Sequence, residues 1–216
     1  MFKKYHILYE DADIIAVDKP AGMLVIPTPK KETNTLTDAL NRELDSRGIE
    51  PNAYPCHRLD RETSGIIVYS KGKKAQALIM DLFRRREVKK RYIAFVHGRP
   101  GKNFDTISEP IYNRNRDRME DAVTRYKVLE RHNNFSVLEI EPVTGRTNQI
   151  RIHMKILGHP IVGESVFAYR KDYKLKFKRA ALHARSLGFV HPVTGRKVEI
   201  ESRLPDDMAE FINNEG

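Results

Sequence analysis

A single cysteine, Cys56, among 216 residues excludes an internal disulfide framework, and the lack of any Cys-x-x-Cys pair removes the common zinc sites. No apolar run approaches the ~20 residues of a membrane span. The opening Met1-Phe2-Lys3-Lys4-Tyr5-His6 leads into Glu10, Asp11 and Asp13 without an apolar signal segment. A cytoplasmic protein with no membrane attachment is therefore expected. Glycine (12) and proline (11) are near average usage, which argues against a disordered or fibrous chain. Several catalytic signatures are also missing: the Gly-x-x-x-x-Gly-Lys phosphate loop, Gly-x-Gly-x-x-Gly, His-Glu-x-x-His and the Gly-x-Ser-x-Gly elbow. The 8 histidines show no metal-ligand spacing and read as ordinary surface or core residues.

What is present is positive charge. Lys+Arg total 39 against 29 Asp+Glu, a net +10, and two short runs hold all of the excess. Residues 84–91 and 170–179 each carry six basic residues and one acidic residue. Removing these twelve and two leaves 27 of each sign. Such concentration points to a polyanionic partner, against the competing reading of two solvated faces.

With 40% hydrophobic residues the chain can build a core. No repeat, low-complexity tract or long linker interrupts it, so 1–216 reads as a single domain. Ile14-Ile15-Ala16-Val17 reads as a strand entering a turn at Asp18-Lys19-Pro20 and Gly22. Leu36, Ala39, Leu40 and Leu44 follow helical spacing ahead of Gly48, and Ile66 to Tyr69 forms a buried strand. Ala75, Leu78, Ile79, Leu82 and Phe83 carry the clearest helical stripe, closed by Arg84 to Arg86. Tyr92 to Val96 reads as a strand, and 122–129 with 135–140 as a pair turning at Asn133-Asn134. Residues 149–157 fit strand alternation or helix; Thr147 or Asn148 as N-cap and Gly158 past the end favour helix. Strands broken by a few helices indicate an α+β fold.

The most informative segment is His57-Arg58-Leu59-Asp60-Arg61-Glu62-Thr63-Ser64-Gly65. An aspartate between two arginines stays ionised and can serve as nucleophile or base. A hydrogen-bonded turn would have the same composition, and Asp60 with Glu62 could also suit a metal-dependent nuclease.

His57-Arg58-Leu59-Asp60 with Thr63-Ser64-Gly65 resembles the active-site motif of RluA-type RNA pseudouridine synthases. Three further elements resemble that family in the same order: Val17-Asp18-Lys19-Pro20-Ala21-Gly22, Lys90-Arg91-Tyr92-Ile93-Ala94, and Gly145-Arg146-Thr147-Asn148-Gln149-Ile150-Arg151-Ile152-His153 followed by Gly158-His159-Pro160. His183-Ala184 is similar to its last strand region. Asn148 departs from the pattern, standing where the family usually has His, though Asn can still hydrogen-bond and cap a helix.

The resemblance implies a mixed, largely antiparallel sheet flanked by helices and loops around a central active-site cleft. It implies isomerisation of uridine to pseudouridine in ribosomal or transfer RNA, with base flipping and no cofactor or metal. Asp60 takes the place of the catalytic aspartate, Arg151 of the basic residue paired with it, and Tyr92 of the tyrosine that stacks on the target base. Ile150 would wall off water. Arg58 matches the arginine that fills the space left by the flipped base, and Lys19 and Arg146 are further RNA-contact candidates. The two basic runs would hold the RNA backbone; Tyr169, Tyr173 and Phe177 could stack on bases or anchor their segment to the core. The short lead-in to Ile14 leaves no room for the small N-terminal RNA-binding domain of larger relatives. A monomer without obligate protein partners is expected. A non-catalytic RNA-binding or ribosome-assembly module is the alternative.

Overall fold

The computed structural model describes residues 5–29, 32–50, 52–168 and 175–216. The chain divides into two compact units, Met1–Lys89 with Ser186–Ser202, and Lys90–Arg185 with Arg203–Gly216.

In the first unit β1 (His6–Glu10), β2 (Ile14–Lys19), β3 (Ala53–Pro55) and β4 (Ser64–Lys71) pair antiparallel, β1 on β2, β2 on β4 and β3 on β4. The expected strands at Ile14 and Ile66 are therefore neighbours, with Ile14 opposite Ser70 and Lys19 opposite Gly65. Both are apolar without alternation because both faces are covered. On one face Ile14, Ala16, Ile66 and Val68 pack with Ile79 and Leu82 of α2 (Lys73–Arg84). Successive strand residues point to opposite faces, so Ile15, Val17, Ile67 and Tyr69 line the other. There Thr37 of α1 (Leu36–Ser46) meets the Tyr69 hydroxyl at 3.2 Å. Thr35 caps α1 in a reciprocal box with Asp38, and Leu36, Leu40 and Leu44 are buried as their spacing requires. One member of the α2 stripe departs from expectation: Leu78 stays 40% exposed, because the buried arc is carried by Ala75, Ile79 and Leu82.

The second unit orders β5 (Lys89–His97), β10 (Phe135–Pro142), β9 (Thr124–Arg131) and β6 (Phe104–Ile107) antiparallel side by side. A separate hairpin joins β7 (Ile111–Asn113) to β8 (Arg118–Glu120). The ambiguous segment is helical, α3 (Gln149–Ile156). The Phe95, Phe135 and Phe211 rings pack at 5.1–5.8 Å, bringing α4 (Asp206–Glu215) onto this core. β11 (Leu182–Val190) runs from this unit into the first, where its Ser186–Val190 half pairs antiparallel with β12 (Lys197–Glu201). The architecture is the expected α+β one, with every pairing described antiparallel.

His97 closes β5 at 8% exposure, and burial pushes its imidazole pKa from 6.5 down to about 4. The unfolded chain then binds more protons in that window, so the stability associated with neutral His97 is intact above pH 6.5 and is lost as pH falls towards 4. Urea unfolding of wild type should lose roughly 1–3 kcal/mol more over that range than His97→Gln. Parallel pH curves for the two proteins would refute this source.

Candidate active site

Asp60 lies half-buried in a loop held at both ends in the first unit. At the start, the Cys56 N–H donates to the Val68 carbonyl (2.9 Å), and the Val68 N–H donates back to His57 Nε2 (3.0 Å). The His57 ring then packs on Phe83, 4.7 Å between centroids, and Leu59 is buried. Beyond the aspartate, the Thr63 N–H closes a tight turn on the Asp60 carbonyl (3.1 Å). Arg58 is exposed.

Lys19, expected to contact RNA, is instead 0% exposed. Its ammonium donates to the carbonyls of Pro20 (3.0 Å), Met23 (2.8 Å) and Arg61 (3.1 Å). The Gly22 N–H donates to the same Arg61 oxygen at 2.8 Å. The antiparallel register places the end of β2 beside the start of β4, so the Lys-Pro-x-Gly turn and the aspartate loop share one anchor. The ammonium of this lysine is turned into the backbone of the two turns.

In the second unit, Tyr92 sits on β5 opposite Ile140, half-buried, with its ring against the core. The other candidates lie in the loop leading into α3 and in its first turn. Asn148 occupies the N-cap position, but in the left-handed region (φ 55°) and without capping the helix through its side chain. Its Oδ1 accepts from Arg151 Nη1 at 2.9 Å. Gln149 locks the loop to β9, accepting from the Thr144 hydroxyl and donating to the Val123 carbonyl and Thr124 Oγ1. His153 adds contacts to Thr124 Oγ1 (2.8 Å) and the Glu109 carbonyl (2.9 Å). Arg146 donates through Nε to the Asp121 carbonyl and pairs with Glu120 at 3.0 Å. Ile150 is buried in this unit's core.

Arg151 is 9% exposed and forms a bidentate pair with Glu164, 2.7 Å on each arm, while Phe167 lies beneath its guanidinium at 5.0 Å. Sequence reading missed Glu164; the nearest signal was its place shortly after Gly158-His159-Pro160. It also missed Glu120, which gathers Arg116, Arg118 and Arg146 on one carboxylate. Its hydrogen bond to Asn113, with the charges of Arg146 and Arg116, outweighs burial and holds its pKa below the ordinary carboxylate range.

Some of the charge in the two basic runs is paired within the chain. Arg84 and Arg85 pair with Asp81, and Arg91 with Glu139. Lys90 is half-buried, and desolvation lowers its pKa against the opposing pull of Glu141. Residues 170–174, and Tyr169 with them, lie outside the described residues. Arg179 is buried in a bidentate pair with Asp207 (2.7 and 2.9 Å), and Phe177 packs edge-on against Phe211, so both anchor their segment to the core. No described helix is long and apolar enough to cross a membrane.

The same fold occurs in a human protein described as RNA Pseudouridylate Synthase Domain Containing 4, with a TM-score of 0.81 over 96% of this chain and 91% of that one at 24% identity. Among sequences, a protein of Bacillus subtilis (strain 168) named uncharacterized RNA pseudouridine synthase YlyB is 40% identical over 219 residues, 96% of this chain and 72% of that one. Ribosomal large subunit pseudouridine synthase D of Zymomonas mobilis is 35% identical, covering 94% of this chain and 70% of its own. The family described as RNA pseudouridylate synthase matches residues 13–155, which include all six candidate residues. The chain belongs to the RNA pseudouridylate synthase family.

Proposed function

We propose that residues 1–216 act as one catalytic domain that converts specific uridines to pseudouridine in ribosomal or transfer RNA. Ribosomal RNA is the first substrate to test, because a relative carries the name of a large-subunit enzyme. The observation that carries this reading is Asp60 on a loop braced by Cys56, His57, Arg61 and Thr63, in a chain of this family. A carboxylate carried on a loop braced in this way can meet a sugar and base in fixed geometry. The uridine is flipped out of its stack to reach it. The bond from the sugar C1′ to N1 breaks and one to C5 forms; C5 gives up its proton and N1 gains one. Asp60 is assigned the catalytic carboxylate, Arg151 the cation that serves it, and Tyr92 the ring that stacks on the base. The reaction assigns no role to a cofactor or metal. The protein works as a cytoplasmic monomer in this reading.

Incubating the purified chain with unmodified large-subunit ribosomal and transfer RNA, in the presence of a chelator, should give pseudouridine at discrete positions by chemical mapping with the RNA chain uncut. Bound RNA without product would favour the non-catalytic RNA-binding alternative, and cleaved RNA a nuclease. Arg58, exposed beside Asp60, is expected to touch the RNA backbone or fill the vacated stack. Arg58→Ala should weaken binding and reduce the slope of log K against log salt by about one if it neutralises a phosphate. An unchanged slope would leave only the stack-filling role.

A further inference from the structure

The buried carboxylate behind Arg151 has no part in the assignments above. Glu164 sits where residues 161–164 are tightly constrained. Ile161 bridges to Val96, the Val162 N–H donates to the Phe95 carbonyl and Ala181 N–H to the Val162 carbonyl. Gly163 has φ +80°, and a Cβ there would lie 2.0 Å from the Arg179 carbonyl oxygen, so only glycine fits. The Glu164 side chain is 0% exposed. One of its oxygens accepts the N–H groups of Ser165 (2.9 Å), Val166 (2.7 Å) and Phe167 (3.2 Å) as well as Arg151 Nη2; the other accepts Arg151 Nε. Burial alone would raise its pKa, but these bonds bring it below the ordinary carboxylate range.

We propose that Glu164 is a positioning residue for Arg151, fixing the orientation in which the guanidinium serves the reaction. A guanidinium is planar and has two bidentate edges. Glu164 occupies the Nε/Nη2 edge, Asn148 accepts from Nη1 and the Phe167 ring lies beneath the plane, so these three groups together set the position and tilt of the guanidinium. Asn148, the departure from the family pattern, thus serves Arg151 and not the helix end. The pairing also balances the charge of Arg151. This role rests on Arg151 acting in the proposed reaction.

The test is steady-state turnover and its pH dependence for wild type, Glu164→Gln and Glu164→Asp on an RNA that wild type modifies. Glu164→Gln keeps the shape but loses the charge, so kcat should fall about 100-fold, with KM for RNA within about twofold. Arg151 would then carry uncompensated charge, and the acid limb of the kcat profile should move to lower pH, because a catalytic carboxylate ionises more readily beside it. Glu164→Asp keeps the charge but withdraws it by one methylene, so kcat should fall with the acid limb unmoved. If Glu164→Gln does not fold, Glu164→Asp carries the test, and wild-type kcat in it overturns the role. Undiminished kcat in Glu164→Gln overturns it too, as does a loss of kcat shared equally with RNA affinity and with no pH shift. No product from wild type overturns the proposed function itself and this role with it.

Discussion

Asp60→Asn should lower pseudouridine formation by about 10⁴-fold or more while RNA affinity stays within a few-fold of wild type. The substitution is nearly isosteric and removes only the charge and the basicity. A carboxylate acting as nucleophile or base cannot be replaced by an amide, and losses of single catalytic groups of this kind reach about 10⁴–10⁶. The loop itself should survive. Its braces are backbone groups of Cys56, Arg61 and Thr63, the His57 ring and the buried Leu59 side chain, none of which the change touches. Losing a negative charge beside a polyanion should not weaken binding. The measurement is quantitative mapping of pseudouridine in parallel with filter binding of the same RNA at fixed salt. Wild-type turnover by Asp60→Asn would sink the assignment, and loss of binding with loss of turnover would show a collapsed loop.

The apolar elements were legible because their signal is local. Ile14 to Val17, Ile66 to Tyr69 and the α2 stripe each announce themselves within ten residues, and β9 and β10 need only the turn between them, whereas the pairing of β2 with β4 spans all of α1 and β3 and is not local. The α3 segment was ambiguous because Ile150, Ile152, Met154 and Ile156 alternate as in a strand while Ile150, Met154 and Leu157 keep helical spacing; Gln149 and His153, bonded to Thr124 of β9, hold it as a helix. The β7–β8 hairpin has strands of three residues, too short for any period to show. α4 offers only Met208 and Phe211 as buried residues, one turn of apolar pattern.

Charge was harder to read than apolarity, because the fate of a lysine or arginine depends on acceptors distant in sequence. Arg179 looks like part of an RNA-binding run until Asp207, 28 residues on, accepts both of its arms. Arg151 was legible by family resemblance, but Glu164 was not, since nothing local marks a carboxylate that will be buried. Glu120 is the same case: an unremarkable acid in a polar hairpin becomes a meeting point for three arginines once β7 and β8 pair.

Lys19 gives the second large effect, this time on stability as well as turnover. Lys19→Met preserves the length of the side chain and removes the ammonium. The carbonyls of Pro20 and Met23 then each lose the donor it supplies, while the Arg61 carbonyl keeps only the Gly22 N–H. Leaving buried acceptors unsatisfied costs about 1–3 kcal/mol each. Relief of the buried charge offsets part of this, so a net loss of about 3 kcal/mol is expected, a fall in Tm of about 6–12 °C for a chain of this length. Turnover measured well below that Tm should drop as well, because Arg61 is next to Asp60 and its carbonyl is where the two loops are tied. Misplacing a reacting group by about 1 Å is worth about 100-fold. RNA affinity, by contrast, should be nearly unchanged, since a fully buried ammonium cannot reach a phosphate. Reduced affinity with an undisturbed Tm would restore Lys19 to the RNA surface, and unchanged Tm and turnover would show that the three carbonyls find other donors.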